Sequence, residues 1–362
     1  MDTLPPGSGT PTSGTQTSRD QPDGTSLAQA RQQAETLASQ GDLQGAIAVA
    51  TAALRDQQQA DPALLAALVR WRRDGFAALH RQPGPAVWPP SLPDPFPGHT
   101  GIPTIAASDL TAEILGGAIQ HHGCLRVNGL VSPAEAARLQ QGIDRGIEAR
   151  DDAHAGRTPT APGWYVPLEM NDMDDKRHWV ETGGAVWTAD SPPMLYDVID
   201  MFTRSGVIGH IAGYMGEQPL LSVAKSTLRR VPVTSKTDWH QDGSFLGREV
   251  RAVNVWLALS PCGRDAPGLD VVGSRLPYVV QTGTHGAYFD WSVGEGMVDL
   301  LAEGGAPIEV PEFAAGDALL FDHLMLHRTG VRPTMTRERW AIESWFFAPT
   351  DYPMEQIPLV VS

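Results

Sequence analysis

The first regular pattern in the chain is the helical spacing of small and apolar residues between residues 26 and 82. They form two runs on either side of Gly41-Asp42, as expected for a helical hairpin: Leu27, Ala30, Ala34, Leu37 and Ala38, and then Leu43, Ala46, Ile47, Ala50 and Leu54. A third helix is predicted from Pro62 to about Leu79. The hairpin resembles one tetratricopeptide unit, but a solenoid needs several copies and no second one follows. We therefore expect residues 26–82 to brace the main domain; the alternative is a binding surface for a protein partner.

Two segments beside this helical extension lack any such pattern. Residues 1–25 consist mostly of Gly, Ser, Thr, Pro, Gln and Asp. So little apolar area cannot offset the entropy lost on ordering, so we predict a disordered tail. Residues 83–103 are rich in proline, which predicts an extended linker.

The main domain is predicted to span residues 104–352 and to open with a helix, a strand and a second helix. The first helix starts at Ser108 and ends at about His121, and Cys124–Asn128 is predicted to be a short strand. Ser132 and Glu135 form a capping box, with proline between them at the first helical position. We expect this second helix to run to Arg150.

Residues 151–192 show no regular periodicity and contain many aromatic residues. A loop of this length in a compact domain is usually a lid, a binding loop or a disordered segment, and the aromatic residues argue against disorder. We predict a lid, with Trp164, Tyr165 and Trp187 as apolar walls for a substrate. Ordinary packing aromatics are the alternative.

From residue 219 onward, short apolar segments alternate with glycine and proline, as is typical of strands and turns. The predicted strands cover residues 219–230, 251–259, 269–272, 277–281, 308–310, 317–326 and 339–347. Such spacing favours a barrel or a jelly roll. The predicted fold class is therefore mainly β with flanking helices, plus the N-terminal helical hairpin.

The composition limits the partners of this protein. Lys and Arg number 27 against 42 Asp and Glu, a net charge of −15 that repels phosphate backbones and argues against nucleic acid. No stretch approaches the roughly 18 apolar residues of a membrane helix, and the chain does not begin like a signal peptide. Cys124 and Cys262 are too few for a disulfide framework. We expect a cytoplasmic protein that binds no membrane.

His240 and Asp242 are the first candidate metal ligands. On an extended chain, side chains two residues apart point to the same face, so these two would converge while Gln241 points away. An imidazole and a carboxylate on one face are two parts of the facial triad that binds non-haem iron(II). Because His-x-Asp also occurs by chance, for example in a surface turn, a third ligand is needed.

The candidate third ligand lies in residues 316–330, where a turn is followed by a strongly apolar strand. Counting by twos back from His327 places His323 on the same face, so either histidine could complete the site. His327 is preferred because it ends the apolar segment, where a barrel strand opens onto a cavity.

Arg339 begins the next predicted strand and is the candidate anion-binding residue. A guanidinium inside a barrel needs a carboxylate, and a small dicarboxylate co-substrate would supply one with bidentate geometry. The alternative is an internal ion pair, for example with Glu343. Thr329 could add a hydroxyl group to the same carboxylate, and Arg337 is a second candidate for the cation.

These segments resemble the phytanoyl-CoA dioxygenase family of Fe(II)/2-oxoglutarate-dependent oxygenases. The resemblance covers about residues 101–350 and rests on residues 123–135, 240–242, 253–259, 316–330 and Arg339. The sequence departs from the family pattern in two places. Residues 267–275 replace a Gly-rich segment that precedes Pro-Gly-Ser-His, and Arg339 is one residue further from His327 than is common.

The resemblance implies a double-stranded β-helix (jelly-roll, cupin-like) core that uses Fe(II), 2-oxoglutarate and O2 and forms succinate and carbon dioxide. The implied site residues are the iron ligands His240, Asp242 and His327, and the 2-oxoglutarate contacts Arg339, Thr329 and Trp256. Related enzymes that halogenate lack the carboxylate ligand, so Asp242 favours hydroxylation, desaturation or ring formation.

We therefore predict a dioxygenase that hydroxylates a C–H bond of a small-molecule or biosynthetic substrate. Two alternatives remain: a catalytically silent barrel that acts as a sensor or scaffold through its helical hairpin, and a cupin-like metalloenzyme that does not use 2-oxoglutarate. The complete ligand set argues against the first. In the second, Arg339 would have no dicarboxylate to bind.

Overall fold

The computed structural model describes residues 26–55, 61–79, 84, 87–235, 238–247 and 249–362. The predicted tail, residues 1–25, and parts of the predicted linker lie outside the described residues. None of the described helices combines the length and the apolar character needed to cross a membrane.

The helices are distributed over the N-terminal region and the outside of the main sheet. They are α1 (Leu27–Ser39), α2 (Leu43–Arg55), α3 (Pro62–Ala78), α4 (Ala112–His122), α5 (Pro133–His154), α6 (Asp174–Thr182), α7 (Pro192–Arg204), α8 (Val207–Met215), α9 (Gly243–Leu246) and α10 (Glu295–Glu303). The strands are β1 (Thr104–Ala106), β2 (Cys124–Asn128), β3 (Ala185–Trp187), β4 (Leu220–Ser222), β5 (Thr227–Val231), β6 (Ala252–Ala258), β7 (Gly268–Val272), β8 (Ile308–Glu309), β9 (Ala318–Phe321), β10 (His327–Gly330), β11 (Arg339–Phe347) and β12 (Pro358–Val360).

Two facing sheets form the core of the described chain. The larger sheet follows the order β1-β2-β9-β6-β11-β4-β12. Strand β4 pairs with the end of β11, whereas β5 pairs with the first half of β11 and also with β3. The smaller sheet has the order β10-β7-β8. Only β1 and β2 pair in parallel, among the strand pairs described.

Alternation along the strands of the larger sheet separates two apolar clusters. On β11, Ile342 and Phe346 point outward and pack with residues of α4, α5, α7 and α8. Ala341 and Trp345 point inward and pack with Leu269 of the smaller sheet. Flanking helices on one face and a second sheet on the other confirm the predicted fold class, a sheet-rich jelly roll.

The N-terminal helices lie against one end of the larger sheet. The side chain of Ser26 and that of Gln29 form a reciprocal capping box at α1, and Asp61 caps α3. Helix α3 contacts β12 and α7. Its buried Arg72 donates a hydrogen bond of 2.7 Å to the carbonyl of Val360. This packing favours a brace, while the division into extension, linker and main domain stays a prediction.

Three predicted strands are wrong. The strand predicted over residues 219–230 is two strands, β4 and β5, separated by residues 223–226. Residues 277–281 form an irregular segment whose backbone binds the side chain of Gln241. The strand predicted over 317–326 ends at Phe321. The carboxylate of Asp322 accepts a hydrogen bond of 2.9 Å from the backbone N–H of Leu324, a local turn that breaks the strand. His327 therefore starts a strand in the other sheet.

The predicted lid, residues 151–192, is also not irregular throughout. Helix α5 continues to His154, and α6 and β3 lie within the segment. Periodicity left α7, α8 and β12 unassigned, and the predicted domain end at residue 352 leaves out β12, which hydrogen-bonds to β4.

Gly316 offers a test of the turn that leads into β9. Its φ is +98°, and a Cβ atom there would lie only 2.2 Å from the carbonyl oxygen of Val131. We expect Gly316→Ala to lower the free energy of unfolding by at least about 2 kcal/mol, from backbone strain plus a clash. Gly305→Ala is the matched control because its φ is +95° but nothing lies within 4 Å. Gly305→Ala should lower the free energy of unfolding by about 1 kcal/mol. Urea unfolding measures both variants, and equal losses would show that the clash contributes nothing.

Candidate metal centre

His240 and His327 are distant in sequence but form a backbone bridge. The N–H of His240 donates to the carbonyl of His327 (2.9 Å), and the N–H of His327 donates to the carbonyl of His240 (3.0 Å). Side chains of such an antiparallel pair lie on the same face, and the two imidazole centroids are 4.4 Å apart. The bridge holds two potential metal ligands side by side.

Each imidazole is oriented by the carbonyl two residues before it. Nδ1 of His240 lies 3.0 Å from the carbonyl oxygen of Asp238, and Nδ1 of His327 lies 3.1 Å from that of Met325. With the proton on Nδ1, each Nε2 keeps its electron pair for a metal. Burial and the neighbouring His327 lower the pKa of His240 to about 4, so its imidazole is neutral at physiological pH.

Asp242 reaches these histidines from a different backbone conformation than predicted. Its φ and ψ are −61° and −23°, and it starts α9 rather than extending a strand. Its Oδ2 nevertheless lies 4.0 Å from Nε2 of His327. Its Oδ1 accepts a hydrogen bond of 2.7 Å from Nζ of Lys225. Oδ2 is buried and has no hydrogen-bond partner among the described residues.

The charge on Asp242 follows from its neighbours. Burial by itself would raise the pKa of this carboxyl group, but Lys225 and the two imidazoles outweigh burial and lower it to about 2. The carboxylate is therefore ionised at neutral pH. A buried anionic oxygen without a donor requires a partner, and a cation between the three side chains would be one.

The three donors fit a single ion. In the described part of the chain, the metal-binding group consists of His240, Asp242 and His327, whose donor atoms all lie within 4.8 Å of one another. Two neutral imidazoles and one carboxylate are the facial triad of non-haem iron(II). His323 is not in this group; its carbonyl accepts a hydrogen bond of 2.7 Å from the N–H of Gly243.

Arg339 lies at the start of β11 on the inward face and is 0% exposed. Its guanidinium group lies over the ring of Trp256 at 5.2 Å and donates to the carbonyl of Gly268 at 3.0 Å. Within the described residues, no carboxylate oxygen lies within 4.0 Å of its nitrogens, and its Nε has no hydrogen-bond partner. Arg337, the alternative candidate, is exposed.

Arg339 stays charged in this position. Burial, with a smaller effect of Arg229, lowers its pKa to about 10, which leaves the guanidinium protonated at neutral pH. Thr329 lies two residues after His327 on β10 and is 7% exposed. It therefore shares the inward face with that histidine.

Glu343, the suggested partner of Arg339, binds other groups inside the barrel. Its carboxylate accepts hydrogen bonds from Arg229 (3.2 Å), Thr227 (3.3 Å) and the Trp345 indole (3.4 Å). Burial would raise its pKa, but Arg229 and Lys225 lower it below the usual value. The internal ion pair exists, but it leaves Arg339 out.

The three predicted substrate walls all contact residues of the flanking helices. The ring of Trp164 lies under the guanidinium of Arg145 on α5 (5.3 Å). The hydroxyl of Tyr165 donates to Glu181 at 2.6 Å. These contacts are on the helical side, so ordinary packing explains both residues. Trp187 lies on β3 in register with Thr227, but it packs in the apolar cluster of the helical side, and the guanidinium of Arg177 on α6 lies 5.2 Å from the centre of its ring.

Sequence analysis missed two aromatic residues close to the donors. Trp291 meets the imidazole of His240 edge to face, with centroids 5.9 Å apart, and Phe245 meets Trp291 in the same way at 5.9 Å. The Nζ atom of Lys225 lies 4.2 Å from the centre of the Phe245 ring. Phe245 follows Asp242 by three residues, so proximity in sequence was an available signal.

The family model of phytanoyl-CoA dioxygenase (PhyH) matches residues 119–334, more than half of the chain, including all three donors. This chain belongs to the phytanoyl-CoA dioxygenase family. It is therefore an oxygenase whose cofactors are Fe(II), 2-oxoglutarate and O2, as predicted. Family membership favours this function over a silent scaffold and over a metalloenzyme that does not use 2-oxoglutarate.

Several solved structures are similar to this family member. AviO1 from Streptomyces viridochromogenes Tue57 has 16% identity over 66% of this chain and 96% of its own, with a TM-score of 0.41. EctD from S. alaskensis with 2-oxoglutarate and 5-hydroxyectoine has 17% identity, coverages of 75% and 86%, and a TM-score of 0.46. The carbocyclase SnoK from nogalamycin biosynthesis has 13% identity, coverages of 68% and 87%, and a TM-score of 0.43. No curated protein matches the chain. These likenesses are too distant to transfer residue roles or substrates.

The two histidines of the apolar segment provide a matched test of the metal site. His327→Gln should weaken Fe(II) binding by more than about 100-fold, since even residues that only support a ligand account for 10–100-fold. His323→Gln should bind Fe(II) like the unaltered protein. Anaerobic titration calorimetry measures both, and thermal unfolding checks that both variants are folded. A larger loss of Fe(II) affinity in the His323 variant would show that His323, and not His327, is the metal ligand.

Proposed function

We propose that this oxygenase hydroxylates a C–H bond of a small-molecule substrate, with iron bound by His240, Asp242 and His327. In this proposal, Arg339 and Thr329 bind the distal carboxylate of 2-oxoglutarate beside Trp256. The observation that carries the proposal is the buried guanidinium of Arg339. It shares the interior of the barrel with the three donors and lacks a carboxylate among the described residues.

The side chains divide the work between binding and orientation. Lys225 holds one oxygen of Asp242 and leaves the other for the metal. The carbonyls of Asp238 and Met325 fix both imidazoles in the metal-binding tautomer. Iron and 2-oxoglutarate, when bound, supply the oxidising power for the C–H bond. The protein positions the reacting carbon and excludes water.

Asp242 occupies the carboxylate position of the facial triad, which favours hydroxylation, desaturation or ring formation over halogenation. Desaturation and ring formation use the same ligand set and depend on where the substrate lies. The proposal includes none of the three predicted apolar walls, because each of them contacts a residue of the flanking helices.

We also propose that the protein works in the cytoplasm. Cys124 and Cys262 are both buried free thiols, which suits a reducing compartment. The helical hairpin stays a proposed brace, supported by the contacts of α3 with β12 and α7.

Arg339→Met tests the 2-oxoglutarate site. We expect the Kd for 2-oxoglutarate to rise at least about 30-fold, because a desolvated charge-assisted contact is lost. The free energy of unfolding without 2-oxoglutarate should fall by less than about 2 kcal/mol, whereas breaking a buried ion pair costs about 3–5 kcal/mol. The measurements are the visible band of the anaerobic Fe(II) complex and urea unfolding.

Arg337→Met is the matched control, since this arginine lies two residues away and is exposed. It should leave 2-oxoglutarate binding and succinate formation unchanged. Unaltered 2-oxoglutarate affinity in the Arg339 variant would refute the assignment.

A further inference from the structure

Four aromatic side chains form a continuous surface that starts at the metal ligands and ends in solvent. We name this surface, made of Phe245, Tyr288, Phe289 and Trp291, the aromatic platform. The rings of Phe289 and Trp291 are stacked at 4.9 Å with an angle of 8°, and Tyr288 meets Phe289 at 4.7 Å. Phe245 is 43% exposed, Phe289 39% and Tyr288 80%. The described part of the chain therefore leaves much of these three rings open to solvent.

Hydrogen bonds tie the aromatic platform to the segment that carries His240. The carboxylate of Asp238 accepts from the N–H of Tyr288 at 2.7 Å and from the hydroxyl of Ser292 at 2.8 Å. The N–H of Val293 donates to the carbonyl of Trp239 at 2.7 Å. The exposed rings therefore have a fixed position relative to the donors.

We propose that the aromatic platform binds a flat aromatic ring of the substrate. This inference deepens the proposed function, on which it rests for the location of the reaction. Aromatic rings prefer offset-stacked and edge-to-face neighbours, and both arrangements are already present among Trp291, Phe289 and Phe245. A flat ring placed on Phe289 or Phe245 adds one member to that series, which reaches His240 through Trp291.

The size and position of the aromatic platform favour a small molecule over a protein. A stable protein interface buries about 800 Å² on each partner, far more than the exposed parts of four side chains provide. The surface is also continuous with the metal ligands, where a substrate must lie to react. Lys225, between Asp242 and the ring of Phe245, places a cation at its inner end.

Two alcohols with the same carbon skeleton test the preference for flat rings. The probes are 2-naphthalenemethanol and its fully saturated analogue, which is not flat. Equilibrium dialysis against anaerobic protein loaded with Fe(II) and 2-oxoglutarate should show the flat alcohol binding about tenfold more tightly, through stacking. The flat alcohol should also change the visible band of that complex. Equal affinities, or binding that leaves the band unchanged, would overturn the proposal.

Two substitutions locate the binding surface. Phe289→Leu keeps an apolar side chain but removes the flat ring, and it should abolish most of the preference for the flat alcohol. Tyr278→Leu is the control, because Tyr278 is an exposed aromatic residue (52%) outside the aromatic platform. It should retain the preference. The same preference in both variants would show that the platform is not the site.

The dialysis is repeated without Fe(II) and 2-oxoglutarate to separate this inference from the proposed function. If no visible band forms with Fe(II) and 2-oxoglutarate, the proposed function fails. The dialysis ratio, and its loss in the Phe289 variant, then still decides whether the aromatic platform binds flat rings.

Discussion

The active centre depends on one pair of backbone hydrogen bonds, between His240 and His327. These bonds join the segment around residue 240 to β10 in the smaller sheet. Each imidazole is then oriented by a carbonyl two residues before it. The positions of the two imidazoles therefore depend on backbone groups, which side-chain substitutions elsewhere disturb little. The two histidines come together only when the chain folds.

The interior of the barrel holds charges that only partly balance. Lys225 pairs with Asp242, and Arg229 pairs with Glu343. Arg339 has no such partner in the part of the chain that the structure describes, although a buried unpaired charge is costly. One oxygen of the Asp242 carboxylate is likewise buried and has no hydrogen-bond partner among the described residues. The free oxygen of Asp242 favours a cation and the guanidinium of Arg339 favours an anion, and the proposed metal ion and dicarboxylate would satisfy both.

Periodicity and spacing predicted much of the fold and the donor set, but not always for the right reason. The spacing of His240 and Asp242 suggested an extended chain, whereas Asp242 begins a helical turn and its carboxylate still converges. The choice between His323 and His327 could not be made by counting, because the turn at Asp322 resets the alternation. Lys225 and Trp291 could not be predicted, because only tertiary contacts bring them to the donors.

Asp238 links the aromatic platform to the proposed metal ligand His240. Its carbonyl orients the imidazole of His240, while its carboxylate holds the backbone of Tyr288 and the hydroxyl of Ser292. A single residue thus sets both the direction of a ligand and the position of the aromatic platform. Selective attack on one C–H bond requires that the substrate and the oxidising centre keep a fixed mutual geometry. In this fold, the hydrogen bonds of Asp238 fix the aromatic platform relative to His240.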